Sequence, residues 1–385
     1  MKTVSFVVPV YNPPLDLFRG LLDSLLDQSG VGLEIVAVND GSTNGALGVL
    51  REFEAAHPGV FKIIDRENRG AGPSRNEGFL AATGDYVWFV DADDLVRPGA
   101  AAFLAAAIEK TGADQIIFDA LETTTSENKP FPAEWTGATR PTTPLRELSK
   151  RRIGSWCRLC RRSFLDRVGV RFCDARTGED GPEIYRWALE AHSLVEVDDP
   201  CYKYYLRNES VTHSSPDIRF FTKGWQVIDL YNGLGARFPE YSQWFDHWNF
   251  IRTRGLLFHA DRYLEKTDGR TAEEIEAVRK ARAEAQRRFD RLDKNNPLSL
   301  VFDFARNVGH RDLRRKILDA ERKRATQAAK NASLRAKLDR QKAKVESLAA
   351  EKARRQRERD AMLSSLSWYI TSPLRVILRP FVGKP

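Results

Sequence analysis

A chain of 385 residues with 42% hydrophobic and 30% charged side chains is too long for one ordinary core and too apolar for a disordered protein, so two domains and an appendage are expected. No run nears the roughly 20 apolar residues that span a bilayer, and the apolar run at 4–10 leads into Asn12-Pro13-Pro14 instead of a cleavage site. With only four cysteines, a disulfide framework is excluded and the reducing cytoplasm is the expected place. The net charge of +8 is local: residues 311–362 hold 18 Lys/Arg against 8 Asp/Glu, and the rest of the chain 43 against 45. Basicity therefore belongs to one segment, and nucleic acid is an unlikely partner for the remainder.

Residues 4–10 (VSFVVPV) read as a buried strand, after which Leu15, Phe18, Leu21, Leu22, Leu25 and Leu26 recur at helical spacing. A strand at 33–38, a helix carrying Leu47, Leu50 and Phe53, a strand at 61–64, a helix from about residue 73 and a strand at 86–90 (YVWFV) complete a βαβαβαβ series. That series predicts an α/β fold, an open and mainly parallel sheet with helices on both faces and ligands beyond the carboxyl ends of the strands. A helix at 100–110 and a strand at 115–118 follow. Residues 123–144, with seven Thr, four Pro and no period, read as a loop. Regular structure resumes near Trp156, with a helix at 182–192, a strand at 195–205 and a Trp-rich helical region at 220–291. From 313 to 366 there is no Gly or Pro, which predicts one long charged helix. The expected domains are 1–215 (halves 1–120 and 121–215), a helical region at 216–296, the long basic helix at 297–366 and an amphipathic tail at 367–385.

Four motifs sit at predicted strand ends or helix starts: VVPVYN (7–12), VNDGST (38–43), NRGAGPSRNEG (68–78) and FVDADD (89–94). In this order and spacing they resemble the family 2 glycosyltransferases of the GT-A fold, of the bacterial cell-surface polysaccharide type, which use nucleoside diphosphate sugars. The resemblance is strong over 1–120 and continues to about residue 215. It implies that Pro9 and Tyr11 pack by the base, that Asp40 accepts a hydrogen bond from the imide of uracil, and that Arg75 and Asn76 stand near the nucleotide. It further implies that Asp93 ligates a divalent cation, with Asp91 nearer the ribose and the metal shell.

The residue chemistry agrees. The chain has no GxxxxGK[ST] loop to cradle a diphosphate, so a cation must offset that charge. Asp91 and Asp93 flank one residue past a buried strand, so both side chains point the same way and offer hard oxygens to Mn²⁺ or Mg²⁺. Glycines 70, 72 and 78 mark close backbone approach. Each motif also has a plainer reading: an acidic turn capping the next helix for DADD, an Asx turn for DGST, a surface arginine for Arg75.

Transfer to a hydroxyl with inversion needs one carboxylate to take the proton. Thr177-Gly178-Glu179-Asp180 opens the helix carrying Ile184 and Trp187 and resembles the family's Glu-Asp motif, which implies Asp180 as general base; an acidic first turn favoured by the helix dipole is the alternative. The segment 204–213 resembles the family's closing segment, in which a basic residue and hydroxyls approach the diphosphate; this implies Arg207 as the phosphate grip and His213 as a further metal ligand, as in some relatives, with a structural histidine as the alternative. Cys157 and Cys160 form a CxxC without a second close pair, so they read as packing residues.

In the C-terminal helix a heptad seam from residue 334 to 366 is interrupted by Gln341, Lys352, Arg355 and Arg359, allowing at most a weak coiled coil and weak self-association into a homo-oligomer. Trp368, Tyr369, Ile370, Leu374, Ile377, Leu378 and Phe381 with Arg375 and Arg379 could lie on an anionic membrane. The expectation is thus an inverting, metal-dependent hexosyltransferase-type enzyme, cytoplasmic or peripheral on the inner face of the cell membrane. It would move a sugar from a nucleoside diphosphate sugar, UDP by preference, to a hydroxyl of a glycan or lipid-linked glycan in cell-surface polysaccharide synthesis. Two readings of other classes stand beside it. An inactive scaffold of the same fold is argued against by the intact Asp91, Asp93 and Asp180, and a nucleic-acid binder through 311–362 by the lack of interleaved aromatics there.

Overall fold

Strand β1 (Thr3–Val10) is buried along nearly its whole length, and its alternation sends Val4, Phe6, Val8 and Val10 to one face and Val7 to the other. Such a strand needs cover on both sides. The computed structural model describes residues 1–144, 154–207, 217–265 and 269–291, all within one compact unit, and supplies that cover. On the first face lie α1 (Leu15–Leu26), α2 (Ala46–Ala56) and α4 (Ala100–Thr111), through Phe18, Leu22, Leu50 and Leu104. On the second lie α3 (Ala71–Ala81), α5 (Arg162–Val168) and α6 (Gly181–Glu190), through Phe79, Phe164, Ile184 and Trp187.

The other strands are β2 (Gly32–Asp40), β3 (Phe61–Arg66), β4 (Tyr86–Phe89), β5 (Leu95–Val96), β6 (Gln115–Thr123), β7 (Thr139–Thr142), β8 (Arg158–Arg161) and β9 (Leu194–Tyr205). Among the described residues they form one sheet in the order β3-β2-β1-β4-β8-β6-β9-β5, with β7 also on β9. Strands β3, β2, β1 and β4 are mutually parallel, as the βαβ series requires; β6 and β9 are parallel as well. β8 runs antiparallel between β4 and β6, and β5 and β7 run antiparallel to β9. The result is an open α/β sheet with a parallel half and a mixed half.

One segment differs from the sequence expectation, and a second was not foreseen as a strand. Residues 123–144 are not a plain loop, because β6 reaches Thr123 and Thr139–Thr142 pairs with β9. Asp199 of β9 accepts hydrogen bonds from Thr136 N (2.8 Å), Thr136 Oγ1 (2.9 Å) and Gly137 N (2.9 Å), while the Arg97 guanidinium stacks 3.6 Å from the Trp135 ring centre. These ties press a Thr- and Pro-rich excursion onto the sheet. The second is RLCR, a four-residue strand whose neighbours come from far along the chain. Cys157 packs in the cluster of the first face and Cys160 in that of the second, so the CxxC is a pair of packing residues on opposite sides.

The helical region consists of α7 (Ile218–Arg237), α8 (Ser242–Glu265) and α9 (Ala272–Arg291), joined through Phe221, Ile228, Leu256, Tyr263, Val278 and Ala285. Asp217 caps α7 by accepting from Arg219 N at 2.9 Å and Phe220 N at 3.2 Å. Tyr185 of α6 stands 6.0–6.1 Å, ring centre to ring centre, from Tyr231, Phe245 and Trp248, which seats α7 and α8 against the second face. Among the described residues no helix is long and apolar enough to cross a membrane. His213, the long basic helix at 297–366 and the tail at 367–385 lie outside the described residues.

Candidate active site

The carboxyl ends of β1, β2, β3 and β4 come together at one edge of the sheet. Asn12, just after β1, adopts a left-handed backbone (φ 47°), and its Oδ1 accepts from Thr43 N at 2.7 Å and Asn44 N at 3.2 Å. Asparagine tolerates that conformation better than most residues. The first loop is thereby tied to the second, leaving the Tyr11 ring 51% exposed beside a half-buried Pro9, where an aromatic base could stack.

Asp40 at the end of β2 is buried, and its carboxylate accepts from Arg69 N (2.9 Å) and Gly70 N (2.7 Å) and pairs with Arg66 at 3.0 Å. It caps the loop before α3, so the structural role weighed from the sequence is present, directed at a different turn. Arg66 also donates to Ser74 Oγ at 2.8 Å. Of the three glycines singled out, Gly72 and Gly78 mark close approach: a Cβ would fall 1.9 Å from Cys173 O or 2.5 Å from Val7 Cγ1. Gly70 instead meets a backbone demand, φ 104°.

Helix α3 then places Arg75 at the centre of the site. The guanidinium is 5% exposed and donates to Asp91 Oδ1 at 2.8 Å and to Glu179 Oε1 at 2.7 Å, joining the end of β4 to the turn before α6. Burial alone would weaken its charge; the carboxylates of Asp91 and Glu179 more than reverse this and hold it above the ordinary arginine value. Arg75 is thus a strut inside the site. Asn76 behaves similarly, its Nδ2 donating to Phe172 O at 2.8 Å and its Oδ1 accepting from Phe172 N at 2.9 Å. The amide that the resemblance set beside the nucleotide thus also holds the backbone at Phe172, ahead of the 177–180 turn. Replacing it, Asn76→Ala, should cost about 1–3 kcal/mol by leaving the Phe172 groups unpaired, read as a lowered urea midpoint. An unchanged midpoint would mean the segment is held elsewhere.

The DADD motif is divided by task. Asp91 and Asp93 are each 27% exposed at the side chain, and Asp93 forms an ion pair with Arg207. Asp94 is buried and accepts from Tyr205 N at 2.9 Å, while Asp91 N donates to Tyr202 Oη at 2.9 Å. Tyr202 is kept protonated by burial and then by the charges of Asp94 and Asp91. Strand β9 therefore fixes the motif from below.

Asp180 stands at the start of α6 without capping it. Burial, then the adjacent Glu179 charge and Asp91, push its carboxyl up to about 6, against the opposing pull of Arg75 and Arg252. A carboxylate so placed is poised to take a proton near neutral pH. Arg252 of α8 reaches the same turn, with Nη1 3.4 Å from Thr177 O.

The structure thus brings Asp91, Arg75, Glu179 and Asp180 into one charged cluster and pairs Asp93 with Arg207. Asp40 and Asn76 are engaged with loops at its side. Sequence reading missed Arg66, Tyr202 and Arg252, since none belongs to a local motif; only the helical spacing in α8 could have hinted that Arg252 faces inward. As for a divalent cation, no group of three or more His, Cys, Asp or Glu able to hold one stands among the described residues. Two half-buried carboxylates nevertheless fit Mg²⁺ or Mn²⁺, which commonly take one or two carboxylates and complete the shell with substrate phosphates and water.

The family model described as Glycosyl transferase family 2 matches residues 5–169. An uncharacterized glycosyltransferase, YibD of Escherichia coli (strain K12), is 30% identical over 231 residues, covering 54% of this chain and 63% of that protein, so the chain spans less than two thirds of this relative. Among solved structures, S. aureus TarS 1-349 matches with a TM-score of 0.53 at 19% identity, covering 79% of this chain and 91% of that one. The same protein in complex with UDP-GlcNAc matches with a TM-score of 0.51 at 18% identity, over 74% of this chain and 92% of that one. These structural likenesses concern the fold. Four motifs at the strand ends and the parallel β3-β2-β1-β4 half-sheet fall within residues 5–169, the stretch that matches family 2 of the glycosyltransferases, and the open α/β sheet around them is of the GT-A fold.

Proposed function

We propose that this chain is an inverting, metal-dependent glycosyltransferase that takes a sugar from a nucleoside diphosphate sugar, with UDP the best fit, and places it on a hydroxyl of a glycan or lipid-linked glycan in cell-surface polysaccharide synthesis. The observation that carries it is the Arg75 strut, which sets the strand-end carboxylate Asp91 and the proton-accepting turn at Glu179-Asp180 side by side. Binding of UDP-GlcNAc by the like-folded TarS agrees with a uridine donor.

In this reading Pro9 and Tyr11 pack against the base, and Asp40, besides holding its loop, keeps one Oδ2 lone pair for a donor N–H. Asp91 and Asp93, with His213 as a further candidate, would hold the cation, and what it supplies is neutralisation of charge on the departing diphosphate. Arg207 leaves Asp93 and contacts phosphate oxygens instead, an exchange of one anionic partner for another. Asp180 accepts the proton of the acceptor hydroxyl as that oxygen attacks the sugar from the side opposite the leaving group. The tail at 367–385 and the +10 segment at 311–362 would hold the enzyme at the inner membrane surface, or a second copy of it, near a lipid-linked acceptor.

The deciding experiment is nucleotide release from a panel of nucleotide sugars, with and without divalent cation. Release should require the cation and one class of donor, and Asp93→Ala should lower it by about 10² or more while the circular dichroism spectrum stays unchanged. Full activity in excess chelator would remove the metal-dependent mechanism.

A further inference from the structure

Residues 177–180 carry the proposed base, yet they form no helix or strand, so something outside the turn must fix it. Two ties come from within the family-like domain and the segment just after it. Arg75 grips Glu179, and Cys173 Sγ lies 3.7 Å from Glu179 O. Neither touches Thr177 or Gly178. That side is covered by Arg252 of α8, whose guanidinium lies over Gly178 so closely that a Cβ there would come 1.6 Å from Nη2 and 2.4 Å from Cζ. The same nitrogen pair faces Thr177 O, Nη1 at 3.4 Å. Among the described residues no carboxylate forms an ion pair with Arg252, so this turn is its evident task. Gly178 has φ 68°, so glycine is favoured there both by backbone conformation and by the guanidinium above it. Tyr231 of α7 closes the next position, its Oη 2.4 Å from where a Cβ on Gly181 would sit.

We infer that Arg252 is a positioning residue: the helical region after the family-like domain holds the 177–180 turn, and through it Asp180, by laying this guanidinium across Thr177 and Gly178. The inference rests on Asp180 being the base, but its structural half can be read without any turnover. A side chain displaced by about 1 Å at a reacting centre costs on the order of 10² in rate, so loss of the clamp belongs in kcat.

The test uses the full chain and three variants, Arg252→Met, Arg252→Lys and Gly178→Ala, with two readouts: hydrogen exchange of the amides at 177–181 and steady-state transfer from whichever nucleotide sugar of the panel the parent chain turns over. Arg252→Met should speed exchange across the turn and lower kcat by about ten- to a hundredfold with the donor KM within about twofold. Arg252→Lys, which keeps a cation and a donor at the stem's end, should recover part of both. Gly178→Ala, which strains the left-handed backbone as well as pushing the guanidinium away, should speed exchange at least as much as the Met variant, and Arg252→Gln stands in should that variant fail to fold. Unchanged exchange in Arg252→Met and Gly178→Ala would overturn the inference, as would a defect confined to the acceptor KM, which would make Arg252 a substrate contact. Should the parent chain release nucleotide from no donor, the glycosyltransfer reading fails while exchange at 177–181 still decides the clamp.

Discussion

Asp180→Asn should act in opposite directions on function and stability. The amide keeps the shape of the side chain and accepts no proton, so transfer falls by about 10² or more while donor binding survives. The same change removes a carboxylate that the fold holds up to about 6, against an ordinary 3.8, by burial and by Glu179. A native-state value above the unfolded one means that the folded chain binds the proton more tightly, so the ionised group costs stability above pH 6. That cost shrinks as the pH falls from 6 toward 3.8 and is gone only below it, where both states are protonated. Two units correspond to at most about 3 kcal/mol, less whatever solvent screens. Denaturant unfolding in the absence of donor and cation should therefore show the Asn variant more stable than the parent at pH 7.5, with the gap narrowed to about a third by pH 4.5. A variant equally stable or weaker at pH 7.5 would contradict the placement of Asp180 in a charge-disfavouring environment. Glu179→Gln is not a neutral control, because Glu179 is the 2.7 Å partner of Arg75. Its transfer should fall less than that of Asp180→Asn; the reverse ranking would move the base to Glu179.

Arg75→Met should be among the most destabilising single changes in the chain. It strands Asp91 and Glu179, which now sit 2.8 and 2.7 Å from one buried guanidinium, and leaves Asp180 beside them without that countercharge. Breaking a buried pair from one side costs about 3–5 kcal/mol, since the remaining charges have lost their solvent as well as their partner. Arg75→Lys recovers only one of the two contacts, because an ammonium cannot fork between two carboxylates in fixed directions. The combination Arg75→Met with Glu179→Gln should lose less than the sum of the two single changes. Urea unfolding of the four proteins gives the coupling, and a loss below about 1 kcal/mol for Arg75→Met would show that water already screens the cluster.

What could be read from the sequence follows from how far each signal extends along the chain. Asp91 and Asp93 were legible in position because a continuous apolar strand, YVWFV, delivers them at its end. Asp180 was legible through the turn before an amphipathic helix. Arg75 was singled out without its partner Glu179, which stands 104 residues away, a distance that no local pattern encodes. Arg252 and Arg66 lie outside every motif, and their roles exist only once α8 and β3 have docked. The strands β5 and β8, two and four residues long, fall below the length at which alternation can be recognised, and they take their place from the neighbours that pair with them.

The opposed placement of Cys157 and Cys160 has a chemical consequence. Written in sequence as CxxC, the pair looks like a dithiol that could cycle between reduced and oxidised forms. A bond between the two sulfurs would need both on one side of the sheet, whereas one packs with the α1, α2 and α4 layer and the other with the α3, α5 and α6 layer. Closing it would require β8 to leave the place it holds between β4 and β6, so the intact sheet keeps this pair silent toward oxidants that readily couple exposed vicinal thiols.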